Sequence, residues 1–465
     1  MMITVLNAPA TSGRPADSLR GPLFRRRNPV PLFSLASRLL LTFATLGLLL
    51  SPGGSSLQAQ EEFEQAPIHY GTTPTTDQAA LLDKKLASGE AKLEYDSRHG
   101  YLPSLLKLLD IPVSSQGLVY SKTSLQIRRI SPQTPRAIYF NDDTYVGWVQ
   151  DGSSIEIMST DPVQGQIFYT LDPEQTDQPL LARDHGQCLA CHATSRTLKV
   201  PGVLIRSVFV DNKGQRQFGT GEFSVDHRSP FKERWGGWYV TGTHGDMRHL
   251  GNVILQKQDD ADEVDRDAGA NIVDLTRRCD LSAYLTPHSD LVALMVLEHQ
   301  GQMHNYITLA SYEGRMSDHY DGIMNAALKR PADHVSDTSR RRITSAGNKL
   351  LRYLLFADEF RLTAPVRGTS DFTREFAARG PRDSQGRSLR DFDLQTRMFK
   401  YPCSYLIYSA AFDSLPEGVR THVLTRLHAI LTGEDQTEEF AHLSADDRLA
   451  ILQILKDTKP DLWKD

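Results

Sequence analysis

Thr144-Tyr-Val-Gly-Trp-Val-Gln150, Ile155-Glu-Ile-Met158 and Gln166-Ile-Phe-Tyr-Thr170 are three short runs rich in β-branched and aromatic residues, and Asp151-Gly152 and Asp161-Pro162 punctuate them. Runs of this composition between turn formers read as strands of a meander. The β pattern extends from Gly117 to about Asp172, and Asn141-Asp142-Asp143 within it reads as a turn. Upstream, residues 60–110 read as a lead-in with a charged surface helix over Asp77–Leu93 and a shorter one over Tyr101–Asp110. From about Arg340 the periodicity is helical: Leu350–Phe356, Val419–Leu431, and Arg448–Leu455 behind a capping box at Ser444-Ala-Asp-Asp447. The expected fold class is α+β, with a β-rich N-terminal part and a mostly α-helical C-terminal part.

Between these parts stands Cys188-Leu-Ala-Cys-His192, a C-x-x-C-H motif. This spacing is that of c-type haem attachment: two thiols reach the two vinyl groups of one porphyrin edge, and the adjacent imidazole becomes the proximal iron ligand. A ligating histidine donates its other ring N–H to a fixed acceptor, and the Pro201 carbonyl is a candidate for that role. A thioredoxin-like reading would need a βαβ setting, and a zinc site would need a second pair of ligands at short spacing; neither is evident.

Arg25, Arg26, Arg27 and Arg38 precede the apolar run Leu39–Leu50, which Ser51-Pro-Gly-Gly-Ser-Ser56 breaks before a cleavage-type Leu57-Gln58-Ala59. The run is short for a membrane span and suits a signal-peptide core. Export fits the motif, because bacterial attachment of haem c occurs outside the cytoplasmic membrane. A periplasmic or otherwise exported protein is expected, with membrane association only if the segment is retained as an anchor. The formal net charge is −5, and residues 1–59 hold six Arg and one Asp, so their removal leaves −10. A chain of that charge is not expected to bind nucleic acid through a general basic surface. Cys279 and Cys403 remain outside the motif, either paired in an oxidising compartment or buried as thiols.

The sixth iron position needs His, Met or another donor, or stays open. Asp226–Asn252 packs two Trp, one Tyr, five Gly and three His into 27 residues. Within it His249 is the first candidate for the distal ligand and His244 the second, with Met247 behind them. His185 lies seven positions before His192 and reads as a solvated loop residue. A buried helix expected over Leu291–His304 places Met295, His299 and Met303 on one face. Such a stripe is more often core than ligand. Val203–Val210 and Gln215–Phe218 read as a hairpin about Asp211-Asn-Lys-Gly214. The acidic run Asp259–Asp267 lacks EF-hand spacing and reads as a solvated linker. The arginines between Gly368 and Arg390 either hold an acidic ligand or, more ordinarily, bond to carboxylates of the fold. Tyr401–Tyr408 reads as core.

Ala137–Trp148, His185–His192, Arg234–Gly242 and Lys400–Tyr408 together resemble a family of exported, largely uncharacterised bacterial cytochrome c-like proteins with a single C-x-x-C-H, over residues 65 to the end. The resemblance implies haem c and electron transfer, and carries over Cys188, Cys191 and His192. The chain departs from small class I cytochromes c in its length and in lacking a short module that ends in a ligand Met. The expected organisation is a signal peptide (1–59), a β-rich region (60–175), a haem c-binding region with its adjoining hairpin (176–335) and a helical region (336–465). The expected function is one-electron transfer through one covalent haem c, toward a redox partner protein or a small electron donor or acceptor. Two alternatives stay open: a peroxidase- or oxidase-like haem oxidoreductase using His244, His249 or Arg234, and a haem-based sensor of a small ligand.

Overall fold

Six antiparallel strands run in chain order, each beside the next: β1 (Gly117–Val119), β2 (Arg136–Phe140), β3 (Thr144–Trp148), β4 (Ile155–Asp161), β5 (Gly165–Leu171) and β6 (Leu181–Arg183). They belong to a computed structural model that describes residues 62–256 and 264–463. The export segment expected over 1–59, and residues 259–263 of the acidic run, lie outside the described residues. The turns follow local chemistry. Asn141 Oδ1 accepts from the Asp143 and Thr144 amides and closes β2 onto β3. Asp161 Oδ1 accepts from the Val163 and Gln164 amides, and Gly165, at φ +78°, completes the return into β5.

Side chains alternate across a sheet with period two, and here the two faces have separate destinies. Ala137, Tyr139, Val146, Ile155, Ile157, Ile167 and Leu171 point to a core shared with two helices, α1 (Gln78–Ser88) and α2 (Leu102–Leu108). Each Val, Ile or Leu among them stabilises the fold by about 1.5–3 kcal/mol relative to exposure. Asp77 caps α1 by accepting from the Ala79 and Ala80 amides, and Gly89 ends it in the left-handed region, four residues short of the expected Leu93. The alternate residues of the sheet, among them Ile138, Tyr145 and Met158, face the second core and a cavity.

The chain then makes one helical turn, α3 (Leu189–His192), and a small two-stranded ladder of β7 (Arg206–Val208) with β8 (Glu222–Ser224). The expected hairpin is corrected here. Its turn exists, with Gly214 N–H on Asp211 O and a bridge between Val210 and Arg216. The ladder, however, forms with 222–224 rather than 215–218, because Gly219 and Gly221, both at positive φ, carry the chain through a loop first.

A 38-residue helix, α4 (Leu291–Leu328), forms the spine of the rest. It runs 24 residues beyond the expected His304 end, since only its first half is buried on all sides. Asp290 caps it by accepting from the Val292 and Ala293 amides. A two-residue pairing of β9 (Gly242–Thr243) with β10 (Arg367–Gly368) lies near its start. The second core joins α4 to α5 (Asp337–Leu354), α6 (Phe372–Ala378), α7 (Ala410–Asp413), α8 (Glu417–Thr432) and α9 (Ala445–Thr458). The capping box before α9 forms as expected, with Ser444 and Asp447 bonding to each other's backbone. The molecule is thus α+β, with an antiparallel sheet in its N-terminal half and helices in its C-terminal half. Among the described residues no helix is long and apolar enough to cross a membrane.

Candidate functional site

Cys188, Cys191 and His192 share one face because α3 is a single turn. The amides of Cys191 and His192 both donate to Cys188 O, at 3.1 and 3.0 Å. Asp184 secures the entry to this turn: its Oδ2 accepts from the Gly186 and Cys188 amides. Burial, and then the Asp184 carboxylate beside it, push the Cys188 thiol up to about 12. A reactive redox pair needs the opposite shift. Cys191 is exposed, and both residues are free thiols.

His192 is fixed by the loop that follows it. Its Nδ1 lies 2.9 Å from Gly202 O, and a carbonyl can only accept, so Nδ1 carries the proton and Nε2 keeps its lone pair. Nε2 has no partner. The Gly202 amide returns a bond to His192 O at 2.8 Å. Burial holds the imidazole below its ordinary pKa, hence neutral. The acceptor expected from sequence was Pro201; that carbonyl instead accepts from the Gln166 amide of β5, at 3.1 Å, and so ties the loop to the sheet. Gly202 is a position where only glycine fits: a Cβ would stand 2.3 Å from Asn305 Oδ1. Asn305 of α4 clamps the next residue, accepting from the Val203 amide and donating to Val203 O, both at 2.8 Å.

The motif opens on a cavity of about 220 Å³. Its floor is the second face of the sheet, including Ile138, Tyr145, Glu156, Met158 and Phe168, and its far wall is Val203, Trp238 and Leu297. The Phe168 ring lies 5.0 Å from that of His192. Two charges enter this apolar enclosure as a pair, Arg136 with Glu156 at 2.5 Å. Gly147, which sits opposite Glu156 in the register, makes room for the guanidinium, since a Cβ there would stand 2.5 Å from Arg136 Nη2. Arg136 Nε remains buried without a partner.

The chain matches no family model, no curated protein and no solved structure.

Of the residues singled out in the sequence, the structure brings Cys188, Cys191 and His192 together on one cavity wall, and adds Trp238. It does not bring His244 or His249 there. These two lie together, ring centroids 4.7 Å apart, beside Phe231. His244 Nε2 accepts from the Asn271 amide at 3.0 Å, so its proton sits on Nδ1 and neither nitrogen is a free donor to a metal. Burial takes His249 down to about 3. Met247, Met295 and Met303 are core. His299 is buried between His227, Nδ1 to Nδ1 at 2.8 Å, and Ser404, at 2.8 Å from Nε2. Arg234 is buried and engaged by Glu298, His227 O and Ser229 O. His185 is exposed. Arg379, Arg382, Arg387 and Arg390 each meet a carboxylate of the fold, the more ordinary of their two readings. Cys279 and Cys403 are buried thiols in different cores. Met158 and Arg136 are the wall residues that the sequence reading missed. The available signal was Ile155-Glu156-Ile157-Met158, an alternation that sets Met beside Glu rather than with the isoleucines.

Proposed function

We propose that the chain is an exported mono-haem c-type cytochrome that carries single electrons through a covalently bound haem, as the resemblance to exported cytochrome c-like proteins also implies. One observation carries this reading. Two thiols, and an imidazole whose Nδ1–H is fixed and whose Nε2 is free, stand on the wall of one largely apolar cavity. A porphyrin supplies most of the coordination of its own iron and asks the protein for axial ligands only. The donors present fit that demand: Cys188 and Cys191 for the thioethers, His192 Nε2 for the proximal position. Arg136, with its unpartnered Nε, is placed to face a carboxylate.

Bound there, the haem supplies a one-electron ferric/ferrous couple. The chain's own contribution is environmental. His192 is held neutral and in one tautomer. Apolar side chains make up most of the enclosure's lining, and Arg136 with Glu156 brings a compensated pair of charges into it. Burial, hydrogen bonding and axial ligation of this kind set a potential. The enzyme alternative loses support, since His244, His249 and Arg234, its acid/base or charge-bearing groups, are not among the residues lining the cavity.

The test is expression with a periplasmic haem-maturation system, followed by denaturing electrophoresis with haem detection. Wild-type protein and Cys279→Ser should keep haem under denaturation. Cys188→Ser with Cys191→Ser should lose it entirely. Haem retention by the double variant, or none in the wild type, contradicts the reading.

A further inference from the structure

We propose that Met158 supplies the sixth ligand to the haem iron, an assignment that rests on the haem c reading above and names its distal side.

Met158 is at the centre of β4, on the sheet face that floors the cavity. In the register it stands directly opposite Phe168 of β5, and the Phe168 ring lies 5.0 Å from the ring of His192. Ile155 and Ile157 are buried in the core behind the sheet, whereas Met158 is only partly covered, lines the cavity and packs against the edge of the second core. A flexible thioether side chain at the border of a core and a cavity can reach into either.

The other donors of the enclosure are occupied. The Tyr145 hydroxyl accepts from Gln300 Nε2 at 2.8 Å. The Tyr169 hydroxyl donates to Asp77 Oδ2 at 2.8 Å, behind the sheet. Burial raises both phenols above their ordinary pKa, which works against a tyrosinate ligand. Glu156 is paired with Arg136. Apart from the motif's own residues, no His, Cys or second Met among the described residues lines the cavity. Thioether sulfur opposite imidazole is a stable axial set for a c-type haem, and it raises the potential.

The experiment uses full-length matured protein with its haem, in wild-type, Met158→Ala and Met158→His forms, and reads spin state, carbon monoxide binding to the ferrous form and midpoint potential. Wild type should be low-spin and unmoved by carbon monoxide. Met158→Ala should keep covalent haem, turn high-spin and bind carbon monoxide. Met158→His should be low-spin with a lowered potential, and it decides the matter if the alanine variant fails to fold. A high-spin or carbon monoxide-binding wild type overturns the assignment, as do variants whose spectra and potentials match wild type. In all these cases covalent haem is present and the cytochrome reading stands. Absence of covalent haem from the wild type would instead remove that reading and this assignment together.

Discussion

His192 and His244 carry their proton on the same nitrogen, Nδ1, and differ in whether Nε2 is occupied. His192 donates from Nδ1 and leaves Nε2 free; His244 accepts at Nε2 and holds its proton on Nδ1. The sequence offers both as aromatic nitrogen donors, because which ring nitrogen is left free is set by the backbone groups the fold brings alongside. Buried neutral histidines also have a pH consequence. Burial takes His304 down to about 4, while its Nε2–H donates to Asp142 O at 2.8 Å. Above the unfolded value of about 6.5 both states are neutral. As the pH falls from there toward 4, the unfolded chain binds a proton that the folded chain refuses, and stability drops by at most about 1.4 kcal/mol per pH unit. His304→Gln keeps a donor and removes the titration. Urea midpoints at pH 7.5, 5.5 and 4.5 should therefore shift in the variant's favour, relative to wild type, only at the two lower values. Parallel profiles would contradict this account of His304.

At the scale of elements, the site depends on a strand, a one-turn helix and a loop being locked to a distant helix. The Asn305 side chain of α4 holds both backbone groups of Val203, next to the residue that orients His192. Asn305→Ala leaves a buried amide and carbonyl unpaired, and should cost about 1–3 kcal/mol. Equilibrium urea unfolding measures this loss, and the variant should also retain haem less well during maturation. Stability and haem retention equal to wild type would show that the clamp is dispensable. The strands of this region were legible because β-branched runs alternate with Asp-Gly and Asp-Pro turns. The second half of α4 was not legible, since its polar outer face dilutes the apolar periodicity that marks the first. The hairpin ladder was misplaced because nothing in Gln215–Phe218 signals that the chain detours through Gly219 and Gly221 before pairing.

For the whole molecule, the fold class was readable from the order of β-rich and helical segments, and the motif from five residues. The distal side was not. Met158 precedes the motif by 30 positions and reaches its cavity only through the register of β4 with β5. A reading confined to linear neighbours turns instead to the glycine- and aromatic-rich stretch near His249, which folds as core.

The central claim is one covalent haem per chain on Cys188 and Cys191, and intact-protein mass spectrometry of periplasmically matured protein under denaturing conditions tests it most directly. The account predicts a single species heavier than the processed polypeptide by one haem, with the adduct on the peptide that contains Cys188–His192. A species at the bare polypeptide mass, with haem absent or lost on denaturation, would contradict it.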